Sequence, residues 1–447
     1  MRKLCIFFFL LVAITLKSQI KGNLNNHINQ ELTLIGFNNL KQEILSVTST
    51  DSLGNFTLIY PIDYKGMAIL KTSDTSSLVF VLTESNLNIY GSHLKEKESL
   101  IFKNGLENNI FFKYYKEYSQ RQTVLSAWSY LSDKYQNEVL FKNQKETLSY
   151  INAELNRLEI EDENYLGSLK NETYMSWYLP LKKMVSNMPI IARHYKEKIP
   201  LAIQQFKSIN FNNPKFKTSG LLKDLIEGHF MLLENSGQPL DSIYANINSS
   251  TKYVIENLSD NKDLLNKVGD YLFNYLEKRS LHESSEYLAV QLLSQNGCNL
   301  NTELTNKLES YRKLKPGKTA PDITFSNNTK LSNITAIKLL VFGSSTCSNC
   351  KQDVLKLSKY HQSWKQKGVE VVYISIDTNK TDFENYYKIF PWKTDTTYKG
   401  WESTSVKDYH VFATPTYFLL DEKLKILLRP KSIEQTDRWI NLNKKNE

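Results

Sequence analysis

The chain has 447 residues, enough for two or three domains, and 41% hydrophobic with 23% charged content excludes a disordered protein. Its formal net charge is +9, but the lysines are spread along the whole length and interleaved with Asp and Glu, with no arginine-rich block. The charge therefore reads as a solvated surface, and no nucleic-acid partner is expected.

Met1-Arg2-Lys3 is a short basic start, Leu4 to Leu16 is an apolar run (LCIFFFLLVAITL), and Lys17-Ser18-Gln19 ends it. This is the build of a secretory signal peptide over residues 1–19. At ~13 residues the run is short for a membrane-spanning helix. Cleavage near Ser18 or Gln19 would release the chain at about Ile20; an uncleaved anchor is the alternative. Cys5 sits too early, without small residues before it, to be a lipoprotein acylation site. The expected location is the periplasm or cell envelope, as a soluble protein.

Residues 20–104 read as an all-β domain. The runs QIKGNL, ELTLIGF, QEILSVTST, GNFTLIY, KGMAILKT, SLVFVLTE and NLNIYG are short, rich in β-branched and aromatic residues, and separated by Asn, Gly, Ser and Asp. They predict a small antiparallel sandwich or barrel, with Thr50-Asp51-Ser52-Leu53-Gly54-Asn55 as a hairpin connection. Residues 105–313 read as a central α-helical region. Breaks are expected at Pro180, Pro189, Pro200, Asn212-Asn213-Pro214 and Gly237-Gln238-Pro239. Tyr271, Phe273 and Tyr275 among Leu272 and Leu276 read as core packing.

RKLKPGKTAP, residues 312–321, marks a boundary, and residues 314–447 form the last domain. KLLVFGSS reads as a buried strand. A helix from Cys347 to Lys367 follows and stops at Gly368. VEVVYISID is the next strand, TDFENYYKIF a helix, and TPTYFLLD with KILLR an antiparallel pair. Ser432 opens a last helix, with Gln435 completing a capping box. The order is β-α-β-α-β-β-α, an α/β domain.

Within it lies GSSTCSNC, with Cys347 and Cys350 two residues apart. Without the leader, Cys298, Cys347 and Cys350 remain, which is too few for a disulfide framework. In an oxidising compartment such a pair reads as redox machinery. A thiolate is the attacking species, and a helix N-terminus lowers its pKa. Cys347 is placed there, with Cys350 one turn further in. A zinc site would need about four ligands, and His361 and His410 lack paired spacing. Cys298, in NGCNL, reads as a packed or quiet thiol.

This last domain resembles the thioredoxin fold and, within that superfamily, the ResA/TlpA-type exported thiol–disulfide oxidoreductases. The resemblance rests on Gly317-Lys318-Thr319-Ala320-Pro321-Asp322, on the Cys-x-x-Cys between strand and helix, on VVYISID closing at Asp377, and on the run from Ala413 to Asp421 that contains Thr414-Pro415. It implies Cys347 as nucleophile, Cys350 as resolving thiol, and a cis bond at Thr414-Pro415 that offers backbone to an extended substrate. It also implies Asp353 as an acid that handles protons for Cys350. No metal and no cofactor are implied. The implied partners are disulfide-bearing exported proteins and a membrane electron donor, with a homodimer as a candidate assembly. The upstream part is similar to a Bacteroidetes arrangement in which a DUF4369-type β-domain and helices precede the thioredoxin fold.

The sequence departs from the family in three places. Thr346 stands where thioredoxins commonly have Trp, Ser348-Asn349 lies between the cysteines, and Val341 stands where thioredoxin has a buried acid. Two rival readings stay open. One is a peroxiredoxin-like peroxidase, for which Ser344 fits the hydroxyl position but Leu340 replaces the proline. The other is a non-catalytic binding protein on a thioredoxin scaffold.

Overall fold

The computed structural model describes residues 17–170, 173–295 and 300–443. The leader reading falls largely on residues 1–16, outside the described residues, as does Cys298. The chain divides into two compact units, one ending at Ser236 and the other beginning at Gly237.

In the first unit, β1 (Lys17–Leu24), β2 (Glu31–Asn38), β3 (Lys41–Ser49), β4 (Asn55–Pro61), β5 (Gly66–Thr72), β6 (Ser77–Leu82), β7 (Asn86–Gly91) and β8 (Ile101–Lys103) form two sheets. Their orders are β4-β1-β7-β8 and β3-β2-β5-β6. Alternation drives this. Phe56, Leu58 and Tyr60 of β4 are buried while their neighbours are exposed, and they meet Leu32, Leu34, Leu70 and Phe80 of the other sheet in one core. Two expectations are corrected. The pair β1–β7 is parallel, so the sandwich is not wholly antiparallel. The 50–55 turn is tight, with Gly54 at φ +79°, but it passes the chain from one sheet to the other instead of closing a hairpin. β3 pairs with β2 and β4 with β1, so the two strands belong to facing sheets.

Five helices complete this unit: α1 (Leu106–Asn137), α2 (Lys145–Gly167), α3 (Tyr174–His194), α4 (Ile199–Phe206) and α5 (Leu222–Glu234). Met67 of β5 and Val81 of β6 point away from the sandwich core and pack with Phe111, Tyr114, Met175 and Tyr178. The Asn108 side chain pairs both the N–H and the C=O of Val81, at 2.8 and 2.9 Å, which covers the β6 edge. Pro180 and Pro189, read as breaks, both lie inside α3. The buried face of that helix, Met175, Leu179, Val185, Met188 and Ala192, runs through both prolines, and its packing outweighs the two lost hydrogen bonds.

The second unit opens with α6 (Leu240–Leu258), α7 (Lys262–Lys278), α8 (His282–Gln295) and α9 (Thr302–Arg312). It continues with β9 (Ile337–Gly343), α10 (Ser348–Gln366), β10 (Val369–Ser375), α11 (Lys380–Tyr387), β11 (Lys393–Thr396), α12 (Thr404–Asp408), β12 (Thr416–Leu420), β13 (Ile426–Leu428) and α13 (Ile433–Asn443). The sheet order is β11-β10-β9-β12-β13; β9, β10 and β11 run parallel, and β12 and β13 are added antiparallel. The short β11 and α12 were not expected from the sequence. Val354, Leu357 and Trp364 of α10 and Ile433 and Ile440 of α13 cover one face of this sheet. Residues such as Leu314, Phe325, Val406 and Tyr409 cover the other. All seven residues of β9 are buried, as an apolar run between two covered faces requires. Lys338 is among them, and its ammonium is satisfied by the carbonyls of Ile334, Ala336, Asp421 and Glu422 at 2.8–3.2 Å.

The polar stretch 312–321 is not a free hinge. Gly317 N–H donates to Ile426 O (2.7 Å), Ile426 N–H to Lys318 O (2.8 Å) and Ala320 N–H to Leu424 O (2.8 Å). Helices α7–α9 are also tied to the sheet through buried charge. Arg429, just past β13, donates to Glu277 of α7 (3.0 Å) and to Tyr311 of α9 (2.7 Å). Tyr311 donates to the other Glu277 oxygen (2.6 Å), and His282 Nδ1 of α8 donates to the same oxygen (3.1 Å). Burial opposes ionisation of Glu277, but the Arg429 guanidinium together with His282 and the Ser285 hydroxyl outweighs it and holds the carboxyl well below the usual range.

Candidate active site

Strand β9 ends at Gly343, where a Cβ would lie 1.9 Å from the Tyr373 hydroxyl, so the glycine leaves the room that the buried Tyr373 ring occupies. The next two residues are clasped from β10's end. Asp377 accepts from Ser344 Oγ (2.7 Å), Ser345 N–H (3.1 Å), Ser345 Oγ (2.9 Å) and Ser375 Oγ (2.7 Å). Burial pushes against ionisation, yet the bonds from Ser344, Ser375 and Ser345 prevail and hold the Asp377 carboxyl below its ordinary value. Cys347 N–H donates to Ser344 O (3.2 Å), which completes the turn into α10.

Cys347 is the N-cap of α10, and its Sγ accepts the Cys350 N–H at 3.1 Å. No acidic residue lies in the first turn of that helix to offset its positive end. Cys347 and Cys350 are joined in a disulfide with a Cα–Cα separation of 5.2 Å. Their settings differ: Cys347 is half-buried, whereas Cys350 is 1% exposed. The Thr414–Pro415 peptide is cis, and Thr414 O lies 3.5 Å from Cys347 Sγ. The structure therefore brings Cys347, Cys350, Thr414 and Pro415 together.

Asp353 lies one turn beyond Cys350 on α10. Among the described residues its partners are the Tyr417 hydroxyl and Lys356 (3.5 Å), and Lys356 also meets Glu434 at 2.9 Å. Neither cysteine is bonded to it. His361 packs edge-on against Trp392, and His410 lies 6.4 Å from the Tyr311 ring. The side-chain group among the described residues that comes near metal-ligand spacing is His27, Asp74 and His93, in the β-sandwich. His27 is already engaged, through Nδ1 to Gln30 Oε1 (2.9 Å) and through Nε2, which accepts from Leu94 N–H (3.2 Å). It offers no free lone pair to an ion.

The clasp by Asp377, Ser344 and Ser345 was not anticipated as a unit. Its signal was legible in part, as an acid directly after the second core strand and two adjacent serines before the first cysteine. Asp377→Asn is expected to leave donors facing donors and to cost about 1–3 kcal/mol, read as a lower Tm. Because the folded pKa of Asp377 is depressed, its contribution is complete above about pH 4 and fades as pH falls below that. An unchanged Tm in Asp377→Asn at pH 7 would remove the clasp as a stabilising element.

A mixed five-stranded sheet whose central parallel strand feeds a Cys-x-x-Cys helix, with a cis-proline beside it, defines the thioredoxin class of fold. Residues 336–426 match the family model described as Thioredoxin-like. Two curated relatives named thiol-disulfide oxidoreductase ResA, from Bacillus thuringiensis subsp. konkukian and Bacillus cereus, are each 30% identical over 98 residues, covering 22% of this chain and 55% of the relative. The chain thus spans about half the length of the curated relatives it matches. Among solved structures, a thioredoxin-like protein from Bacteroides caccae is similar at TM-score 0.39 and 16% identity, over 56% of this chain and 94% of that one. The thioredoxin domain of a thiol-disulfide oxidoreductase from Bacteroides vulgatus is similar at TM-score 0.26 and 22% identity, over 28% and 99%. Residues 336–426 thus form a thioredoxin-like domain that is similar in sequence to ResA.

Proposed function

We propose that this protein is an extracytoplasmic thiol–disulfide oxidoreductase that reduces disulfides of exported proteins. The observation that carries the reading is the asymmetry of the pair: a half-buried Cys347 on a helix N-terminus, bonded to a Cys350 that is 1% exposed. In the reduced form the Cys347 thiolate attacks one sulfur of the substrate disulfide, forms a mixed disulfide and expels the first substrate thiolate. The Cys350 thiolate then attacks Cys347 Sγ and expels the second. Two electrons have passed to the substrate, and the Cys347–Cys350 disulfide remains. An external dithiol, by resemblance a membrane electron donor, must return it to the reduced state. The extracytoplasmic location is supported by the leader-like residues 1–19, and no helix among the described residues is long and apolar enough to cross a membrane.

Thr414 and Pro415 take the substrate-binding role, since the Thr414 backbone lies at the reacting sulfur. Asp353 takes the proton-handling role for Cys350, from the next turn of α10. Asp353→Asn is expected to slow resolution of the mixed disulfide at neutral pH and to recover as pH rises and the thiol ionises unaided. A pH–rate profile identical to the wild type would remove Asp353 from the mechanism. The overall reading is tested by insulin reduction with a small-dithiol donor, comparing the wild type with a Cys347→Ser/Cys350→Ser double variant. Equal turbidity traces from the two proteins would favour a binding role for the scaffold.

A further inference from the structure

The segment between α12 and β12 carries Thr414 to its place beside Cys347, and it does not stand alone. Tyr409 is fully buried and donates to Pro321 O at 2.6 Å, and Val411 N–H donates to Val406 O at 3.0 Å. His410, at φ +46°, adopts a left-handed backbone conformation that is uncommon for a residue other than glycine. From there on the contacts come from the helices that precede the thioredoxin fold. The Phe412 ring sits edge-on to Phe273 of α7 at 5.9 Å, and the Lys307 ammonium of α9 lies 5.3 Å over it. Tyr311 of α9 is edge-on to both Phe273 (4.7 Å) and His410 (6.4 Å).

Lys307 is itself fixed, by Asp270 and Asn274 (2.8 Å) on α7. Arg429 stacks on both Tyr311 (5.0 Å) and Phe418 of β12 (4.9 Å), so the strand that leaves Pro415 is held by the same helices. One residue, Ala413, separates Phe412 from Thr414, whose carbonyl lies 3.5 Å from Cys347 Sγ.

We propose that α7 and α9 are a working part of the catalytic unit: through Phe273, Tyr311 and Lys307 against His410 and Phe412, they position the 413–415 backbone on which an extended polypeptide carrying the disulfide docks. This rests on the reductase reading and deepens it. The helices act through the loop and touch no reacting atom, so Phe273, Tyr311 and Lys307 are positioning residues. A substrate that needs no backbone docking, such as a small aromatic disulfide, is indifferent to them.

The test uses the full chain with Phe273→Ala, and with Phe412→Ala, which removes a half-buried ring from the loop side and spares the helical core. Hydrogen exchange of the 411–416 amides is expected to quicken about tenfold or more in both. The kcat/KM for insulin is expected to fall about tenfold, mainly through KM. The rate of the reduced protein with 5,5′-dithiobis(2-nitrobenzoate) is expected to stay within about twofold. Unchanged exchange with unchanged KM overturns the proposal, as does an equal loss towards both disulfides. Should Phe273→Ala fail to fold, Phe412→Ala decides. A wild type inactive on both disulfides would end the reductase reading, while the exchange comparison would still decide whether the helices hold the loop.

Discussion

Cys347→Ser is expected to abolish reduction of a polypeptide disulfide, on the order of 10³-fold or more, and Cys350→Ser to stall the protein as a mixed disulfide. The geometry makes these two outcomes distinct. Cys347 is the less buried of the two cysteines, and its Sγ accepts a backbone N–H at the positive end of a 19-residue helix, which favours the thiolate. Cys350 is 1% exposed, so no external disulfide reaches it directly; it reacts with Cys347, whose Cα is 5.2 Å away. Neither loss would come from unfolding. Serine is a favourable N-cap and keeps the role of Cys347 at the start of α10. At position 350 the backbone N–H that meets Cys347 Sγ is unaffected. The measurement is the insulin assay together with mass spectrometry of the trapped species. Full activity in Cys347→Ser, or a mixed disulfide mapped to Cys350 in the wild type, would reverse the assignment.

Glu277→Gln is expected to destabilise the second unit by about 3–5 kcal/mol, because it leaves Arg429 buried without a countercharge. In a unit of this size that lowers Tm by roughly 10 °C. Arg429 and Glu277 have side chains 5% and 2% exposed, so water cannot take over either role. The double change Glu277→Leu with Arg429→Met is expected to recover most of the loss, because a well-packed apolar pair replaces a buried ion pair at little cost. The sign with pH follows from the depressed folded pKa of Glu277. Its contribution is fully present above about pH 4.5 and is lost as pH falls further, while the variant lacks this acid dependence. Thermal unfolding followed by circular dichroism checks both. A Tm shift under about 2 °C for Glu277→Gln would show that the network does not hold α7 to the sheet.

Strands such as β2 and β4 of the N-terminal domain were legible because one face is buried and the other is not, as in the alternation of Phe56, Leu58 and Tyr60 along β4. What that alternation does not carry is which strand pairs with which. The 50–55 turn looked like a hairpin because a tight turn between two strands usually is one, and the sandwich instead places β3 and β4 in opposite sheets. Pro180 and Pro189 looked like helix ends because their local preference is to break helices. The buried face of α3 overrode them, and a buried face is a property of neighbours far along the chain.

The site divides in the same way. Cys347, Cys350 and Thr414-Pro415 were found from short motifs, since a two-residue spacing at a strand–helix junction and an X-Pro bond are local features. Asp377 was seen as the end of a motif, but its grip on Ser344 and Ser345 joins residues more than thirty positions apart. The tie from Glu277 to Arg429 spans 152 positions and lies across a stretch, 312–321, whose composition reads as a linker. Composition reports how soluble a segment is, not what packs on it, so the sequence by itself determined the redox pair, its helix and its proline. The tertiary structure alone decided that two helices from the preceding region belong with them, because long-range burial of an ion pair and of three aromatic rings leaves no periodic mark in the chain.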